Sequence, residues 1–197
     1  RRKIMEKAVK EIRLVDMRAL DNTDEMIVEG YAAVFDTITD LGWIKEVIDR
    51  HAFDNADMSD IVMKYNHENS VLPMARTRGG SLTFTIDDHG LKIRAVLPDT
   101  TVNKDIYVLI RTGVLSKMSF AFTVKRQEYD YETDTRKILE FDKIFDVSVV
   151  DVPAYETTEI YARNKEQYEE EKRQYEVKKE EYKLNFEKEK IKLMLCI

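Results

Sequence analysis

Residues Gly113–Val124 read Gly-Val-Leu-Ser-Lys-Met-Ser-Phe-Ala-Phe-Thr-Val. A turn residue opens the stretch and an alternating strand follows. Side chains on a strand point to opposite faces in turn. Met118, Phe120, Phe122 and Val124 therefore share one face, and Ser119, Ala121 and Thr123 the other. The large apolar set faces a core, which leaves Ser119 on an outer face of small residues. A hydroxyl there becomes a nucleophile only if a base reaches it. Most strand serines are solvated or bond nearby backbone, so the partners must come from elsewhere in the chain.

Composition narrows the search. The chain has 197 residues, enough for one domain plus an extension. Charged residues make up 36%, above the usual roughly 25%, so some segment is unusually polar. A net charge of −6 argues against nucleic-acid binding through a basic surface. The lone cysteine, Cys196, rules out an intrachain disulfide framework and fits a reducing compartment. No apolar run approaches the ~20 residues of a membrane-spanning helix, and no secretory leader pattern is seen. The first residue is Arg1, so the numbering is expected to begin inside a longer product.

Outward from the central strand, short strands dominate. Glu11–Met17 alternates, with Ile12, Leu14 and Met17 nearly in step, and Asp21-Asn22-Thr23-Asp24 is a turn cluster. Met26–Phe35 is rich in β-branched and aromatic residues, with Gly30 marking a bulge or bend. Trp43–Ile48 is a short strand, Asp49–Asp60 has helix-like character, and Ile61–Tyr65 is a strand ending in Asn66-His67-Glu68-Asn69. Ser81–Ile86 and Leu91–Leu97 form a hairpin around Asp87-Asp88-His89-Gly90. Asp99-Thr100-Thr101 caps a helix that Gly113 stops. Gln127–Lys137 is a polar hairpin tip, Ile138–Val152 holds one or two strands, and Thr157–Ala162 reads as a last short strand. These elements predict a mainly β fold, a closed or nearly closed β-barrel with helical insertions, over residues 1–163.

Residues 164–197 differ. They contain no Gly or Pro and hold nine basic and nine acidic side chains, so the whole net charge lies in 1–163. The segment reads as a long charged helical arm. Tyr168, Tyr175 and Tyr182 recur every seven residues, but Lys172 and Lys179 stand where a coiled coil would place its second apolar position. The arm is expected to contact a second copy or a larger shell more than its own barrel, with an apolar end at Ile191–Ile197.

Three histidines are available as bases. His89 sits in a turn and His51 beside Arg50, both surface-type positions, whereas His67 ends a strand. Their spacing contains no HxxxH or HxH pair, and a metal site needs convergent ligands, so no metal site is expected among them. A serine needs a base, and the base works best when a third group fixes its tautomer. Asp146 is the best third group, because a lone carboxylate in the apolar run Ile144–Val150 needs a partner. Glu140, Asp142 and Asp151 are weaker candidates for that role, and Ser116 and Ser148 are competing hydroxyls.

Taken together these segments resemble the prohead (capsid maturation) serine proteases of tailed phages, relatives of the herpesvirus assemblins. The matching pieces occur in order: Glu29–Phe35, Glu46-Val47-Ile48 through Ala52-Phe53, Asn66-His67, Gly90-Leu91, Gly113–Phe122, then Asp146–Val150 with Pro153-Ala154-Tyr155. His51 stands where the family usually has Gly, and Asp146 where it usually has Glu. The resemblance covers roughly residues 11–163. It implies a herpesvirus-protease-like barrel and a serine endopeptidase with Ser119 as nucleophile, His67 as base and Asp146 as orienting group, without a cofactor or metal. Its implied substrates are phage major capsid protein and scaffold segments, cut in the host cytoplasm inside an assembling prohead. The implied partners leave room for a homo-oligomer through the barrel or the C-terminal helix, with no nucleic acid and no membrane. The rival reading is a non-catalytic β-barrel that acts as a capsid or scaffold interaction module.

Overall fold

The computed structural model describes residues 10–20, 25–151 and 159–195, apart from the side chains of 14–15, 159–164 and 192–195. The turn cluster at 21–24, Pro153-Ala154-Tyr155, the start of the expected strand at 157–158 and Cys196 lie outside them. The described fold is mainly β with two α-helices. In chain order it contains β1 (Glu11–Ala19), β2 (Met26–Val34), β3 (Thr39–Asp40), β4 (Lys45–Ile48), β5 (Val62–Tyr65), β6 (Ala75–Arg76), β7 (Leu82–Ile86), β8 (Gly90–Leu97), α1 (Thr101–Arg111), β9 (Lys117–Asp130), β10 (Thr135–Val150) and α2 (Glu159–Leu195).

The sheet runs β3-β4-β10-β9-β1-β2-β8-β7, and β5 adds to β10 and carries β6. β10 is one strand of 16 residues rather than two. Register shifts between Ile138 and Asp146 bend it, so it pairs in parallel with β4 near its start and with β5 near its end. Bulges of this kind increase local twist and re-aim a strand.

The closed barrel expected from the sequence is not formed by strand pairing among the described residues. The path β10-β9-β1-β2-β8 curls back toward β10-β5-β6, but no ladder joins β6 to β8. Ser81 spans the gap instead. Its hydroxyl accepts the Arg76 N–H at 3.0 Å and its carbonyl accepts the Val96 N–H at 2.8 Å.

The apolar face of β9 behaves as its alternation requires. Met118, Phe120 and Phe122 are buried, with Phe120 stacked on Phe122 at 4.9 Å and Phe122 edge-on to Phe141 at 4.8 Å. Gly30 is needed for close approach: a Cβ there would lie 2.5 Å from the Asp16 carbonyl oxygen. The β2 bulge itself falls one step later, between Tyr31 and Ala33. Thr100 caps α1 by accepting the Asn103 N–H, and Gly113 follows the helix at φ 77°.

Three further expectations are corrected. Asp49–Asp60 is a run of turns, not a helix, because Ala52 and Phe53 plunge into the core and Phe53 packs on Phe141. Residues 159–162 belong to α2 and not to a strand. The first half of α2 docks on its own sheet. Tyr168 is buried against Leu41, Ile44 and Trp43, and Tyr131 stacks on both Tyr168 and Tyr175.

Candidate active site

Each candidate residue is set by a different strand end. Ser119 lies on β9 opposite Ser148 of β10, and Asp146 lies two residues before Ser148. Directly opposed residues share a face with Cβ atoms about 4.5–5.5 Å apart, so Asp146, Ser148 and Ser119 form one patch. His67 arrives from the end of β5, which pairs with the same part of β10 through Ser148↔Lys64 and Val149↔Tyr65.

The His67 turn is held by several bonds. Asn66 and His67 both adopt left-handed backbone, at φ 49° and 58°. For residues other than glycine this costs on the order of 1–3 kcal/mol each, though Asn tolerates it best. The Asn66 N–H donates to the Val149 carbonyl at 2.8 Å, and the His67 N–H donates to Ser148 Oγ at 3.2 Å. The Asn66 side chain donates to Asp151 at 2.9 Å and accepts the Asp151 N–H, while Tyr65 donates its hydroxyl to the same carboxylate.

His67 Nδ1 bonds Asp146 Oδ1. Lys10, at the entry to β1, donates to Asp146 Oδ2 at 2.9 Å, and Ser148 Oγ lies 3.1 Å from Asp146 Oδ1. Burial alone would push the Asp146 carboxyl up. The hydrogen bonds and charges of His67 and Lys10 outweigh it and hold the group at about 2. Asp146 is therefore an ionised, almost fully buried carboxylate with every oxygen engaged. Because that carboxylate only accepts, the short contact requires the proton on Nδ1, which leaves Nε2 as the bare nitrogen.

Ser119 Oγ and His67 Nε2 are both buried, and among the described residues neither has a hydrogen-bond partner. They do not bond each other here. Sequence alternation placed Ser119 on an outer face, but the residue is fully buried because both faces of this part of β9 are covered. Unpaired buried polar atoms are rare and costly, and they concentrate at sites of chemistry.

The competing candidates are accounted for elsewhere. Glu140 pairs with Lys125, Asp142 accepts from Thr123, and Asp151 holds the Asn66 turn. Ser116 is exposed, His51 pairs with Asp54 at the surface, and His89 packs edge-on against Tyr31. No group of side chains among the described residues could hold a metal ion, and no helix among them is long and apolar enough to cross a membrane. A cleft of about 630 Å³ opens on the Phe120 side of β9, lined by Arg13, Met17, Glu29 and Tyr31 among others, and Ser119, His67 and Asp146 are not part of it.

Two contributors escaped the sequence. Lys10 had no signal, being one lysine in a mixed segment. Ser148 was visible only as a rival hydroxyl, and its bonds to both His67 and Asp146 depend on the β5–β10 pairing.

Comparison with known proteins places the chain in a family. Residues 13–174 match the family model of caudovirus prohead serine proteases. The prohead protease of Enterobacteria phage HK97 is 28% identical over 140 residues, covering 69% of this chain and 59% of that protein. The chain thus spans about three fifths of the length of that curated relative. The solved bacteriophage T4 capsid assembly protease superposes with a TM-score of 0.51 at 12% identity, covering 75% of this chain and all of that one. That last likeness is one of fold.

Proposed function

The chain belongs to the family of caudovirus prohead serine proteases, and on that premise we propose that it is a serine endopeptidase that cuts capsid and scaffold protein segments inside an assembling phage shell. Residues 1–163 form its peptidase unit, a herpesvirus-protease-like barrel left open at the β6–β8 seam, and 164–197 its helical arm. Ser119 is the nucleophile, His67 the base and Asp146 the orienting group.

The observation that carries the reading is the His67 Nδ1–Asp146 bond. It fixes the tautomer whose Nε2 is free to take a proton. In the reaction, Nε2 removes the Ser119 Oγ proton as Oγ attacks the peptide carbonyl carbon. The imidazolium, stabilised by Asp146, then gives that proton to the departing amine, leaving an acyl-enzyme. Water repeats the sequence and releases Ser119. Ser119 is buried, so a substrate carbonyl reaches Oγ only when the atoms over it move aside. Hydrogen bonds between nucleophile and base are often long before substrate binds and tighten with it.

The test is digestion of a mixed-sequence peptide library followed by mass spectrometry. Ser119→Ala is expected to abolish cleavage while keeping the fold, since losing one hydroxyl leaves little cavity. Wild-type cleavage by that variant would transfer the role to Ser116 or Ser148, whereas no cleavage even by the unaltered chain would leave it as a non-catalytic shell module.

A further inference from the structure

We propose that Ser148 is a positioning residue that locks the His67–Asp146 pair in the tautomer and orientation needed at Ser119; this rests on the peptidase reading above. Ser148 is fully buried on β10, directly opposite Ser119. Its Oγ stands at a three-way junction. It accepts the His67 backbone N–H at 3.2 Å, lies 3.1 Å from Asp146 Oδ1 and lies 3.2 Å from His67 Nδ1.

A hydroxyl has one proton and two acceptor lone pairs. The backbone N–H can only donate to Oγ, and the carboxylate can only accept from it. The Ser148 proton therefore goes either to Asp146 Oδ1 or to Nδ1. If it went to Nδ1, that nitrogen would carry a lone pair, and no proton would remain to join it to the carboxylate at their short contact. The consistent arrangement has Nδ1–H and Ser148 O–H both donating to Asp146 Oδ1. The Asp146 contact thus excludes the other tautomer, and Ser148 fixes the carboxylate that receives the Nδ1 proton.

The same oxygen also holds the backbone of His67, whose left-handed conformation needs outside support. Without it the ring would rest on Asp146 alone. Because Ser148 is the register partner of Ser119, it sets the ring relative to the nucleophile strand itself. Oγ is spent on these bonds and is not free to attack a substrate.

The experiment uses the full chain and a fluorophosphonate probe. An activated serine displaces fluoride from phosphorus, forming a Ser–O–P bond, with its proton passing to the base. Ser148→Ala is expected to slow labelling of Ser119 at least about tenfold, a part of the ~10²–10⁴ that a positioned base supplies. Ser148→Thr, which keeps the hydroxyl, should restore most of the rate. In a Ser119→Ala background, nitrogen NMR of His67 should show the Nδ1–H tautomer, and adding Ser148→Ala should mix the tautomers. The proposal is overturned if Ser148→Ala labels at the wild-type rate with an unchanged tautomer. It is also overturned if the adduct in the wild-type chain forms on Ser148. If the wild-type chain takes no adduct at all, the peptidase reading fails, and the tautomer comparison alone then decides the role of Ser148.

Discussion

Asp146 carries a large stake for a single side chain at the site. Its carboxyl is held at about 2, below the ordinary 3.8, despite burial that works the other way. A carboxylate with a depressed folded value contributes stability that is fully present above the unfolded value and is lost as pH falls through the folded one. The window here is about pH 4 down to 2, and the contribution is on the order of 2 kcal/mol. Lys10→Met removes a charged donor to Asp146, so the carboxyl rises and acid unfolding should begin at higher pH than in the wild-type chain. Far-ultraviolet circular dichroism of the sheet followed from pH 6 to 2 checks this, and coincident acid transitions would refute it. The His67–Asp146 pairing was legible in the sequence, through a lone carboxylate in an apolar run and the ordered motifs of the resemblance, whereas Ser119 and His67 taken singly look like ordinary structural residues. Lys10 carries no such signal, and the burial of Ser119 was hidden because alternation gives faces but not what covers them.

At the scale of elements, α2 shows how a correct pattern can be given the wrong partner. The seven-residue spacing of Tyr168, Tyr175 and Tyr182 suggested a weak coiled coil spoiled by Lys172 and Lys179. The structure gives both sets one explanation. Tyr131, at the β9–β10 tip, stacks on Tyr168 and Tyr175 at 5.7 and 5.1 Å, while Asp134 pairs with Lys172 and Glu132 with Lys179. The first two tyrosines of the stripe therefore meet an acidic, aromatic hairpin of the same chain. The contact ends there, since Tyr182, Leu184 and Phe186 are exposed. Short strands, the capped α1 and the hairpins were readable from local chemistry, but this docking joins residues some forty positions apart that carry no mutual signal. Trp43 is the sole tryptophan and lies 5.5 Å from the Tyr168 ring, so it reports on the contact directly. Tyr168→Ala should shift its emission to the red and speed amide exchange across 165–180. The denaturation midpoint of the sheet should change little, because a helix docked at one end opens locally. Unchanged emission and exchange would mean that the tyrosine does not hold the helix.

The molecule as a whole is tied by charges that the sequence disguised. Glu11 and Arg13 alternate with Ile12 and Leu14 and so read as the wet face of β1. In the structure Glu11 is buried and Arg13 nearly so. Arg136 of β10 donates to both Glu11 oxygens at 2.5 and 2.6 Å, to Glu46 of β4 at 3.1 Å and to Gln127 of β9 at 2.8 Å. Arg13 closes the ring with two 2.5 Å bonds to Glu46 and one of 2.9 Å to Glu11. Three strands thus meet at two arginines and two glutamates, and Gln127 ties in β9 as the fourth. Burial pushes the Glu11 carboxyl up, and Arg136 and Arg13 together pull it below its ordinary value. Taking charges from water is expensive, so such a cluster adds little over a well-packed apolar one, but removing one member strands the rest. Arg136→Met leaves Glu11 and Glu46 to share Arg13 alone, one buried negative charge in excess. We expect a loss of about 3–5 kcal/mol in urea denaturation. Glu11→Leu combined with Arg136→Met removes the excess and spares the paired Arg13 and Glu46, so most of that loss should return. A single-variant loss below about 1 kcal/mol, the range of exposed pairs, would show the cluster to be wetter than its burial indicates. A double variant as unstable as the single one would show that the two charges do not act on each other across the strands they join.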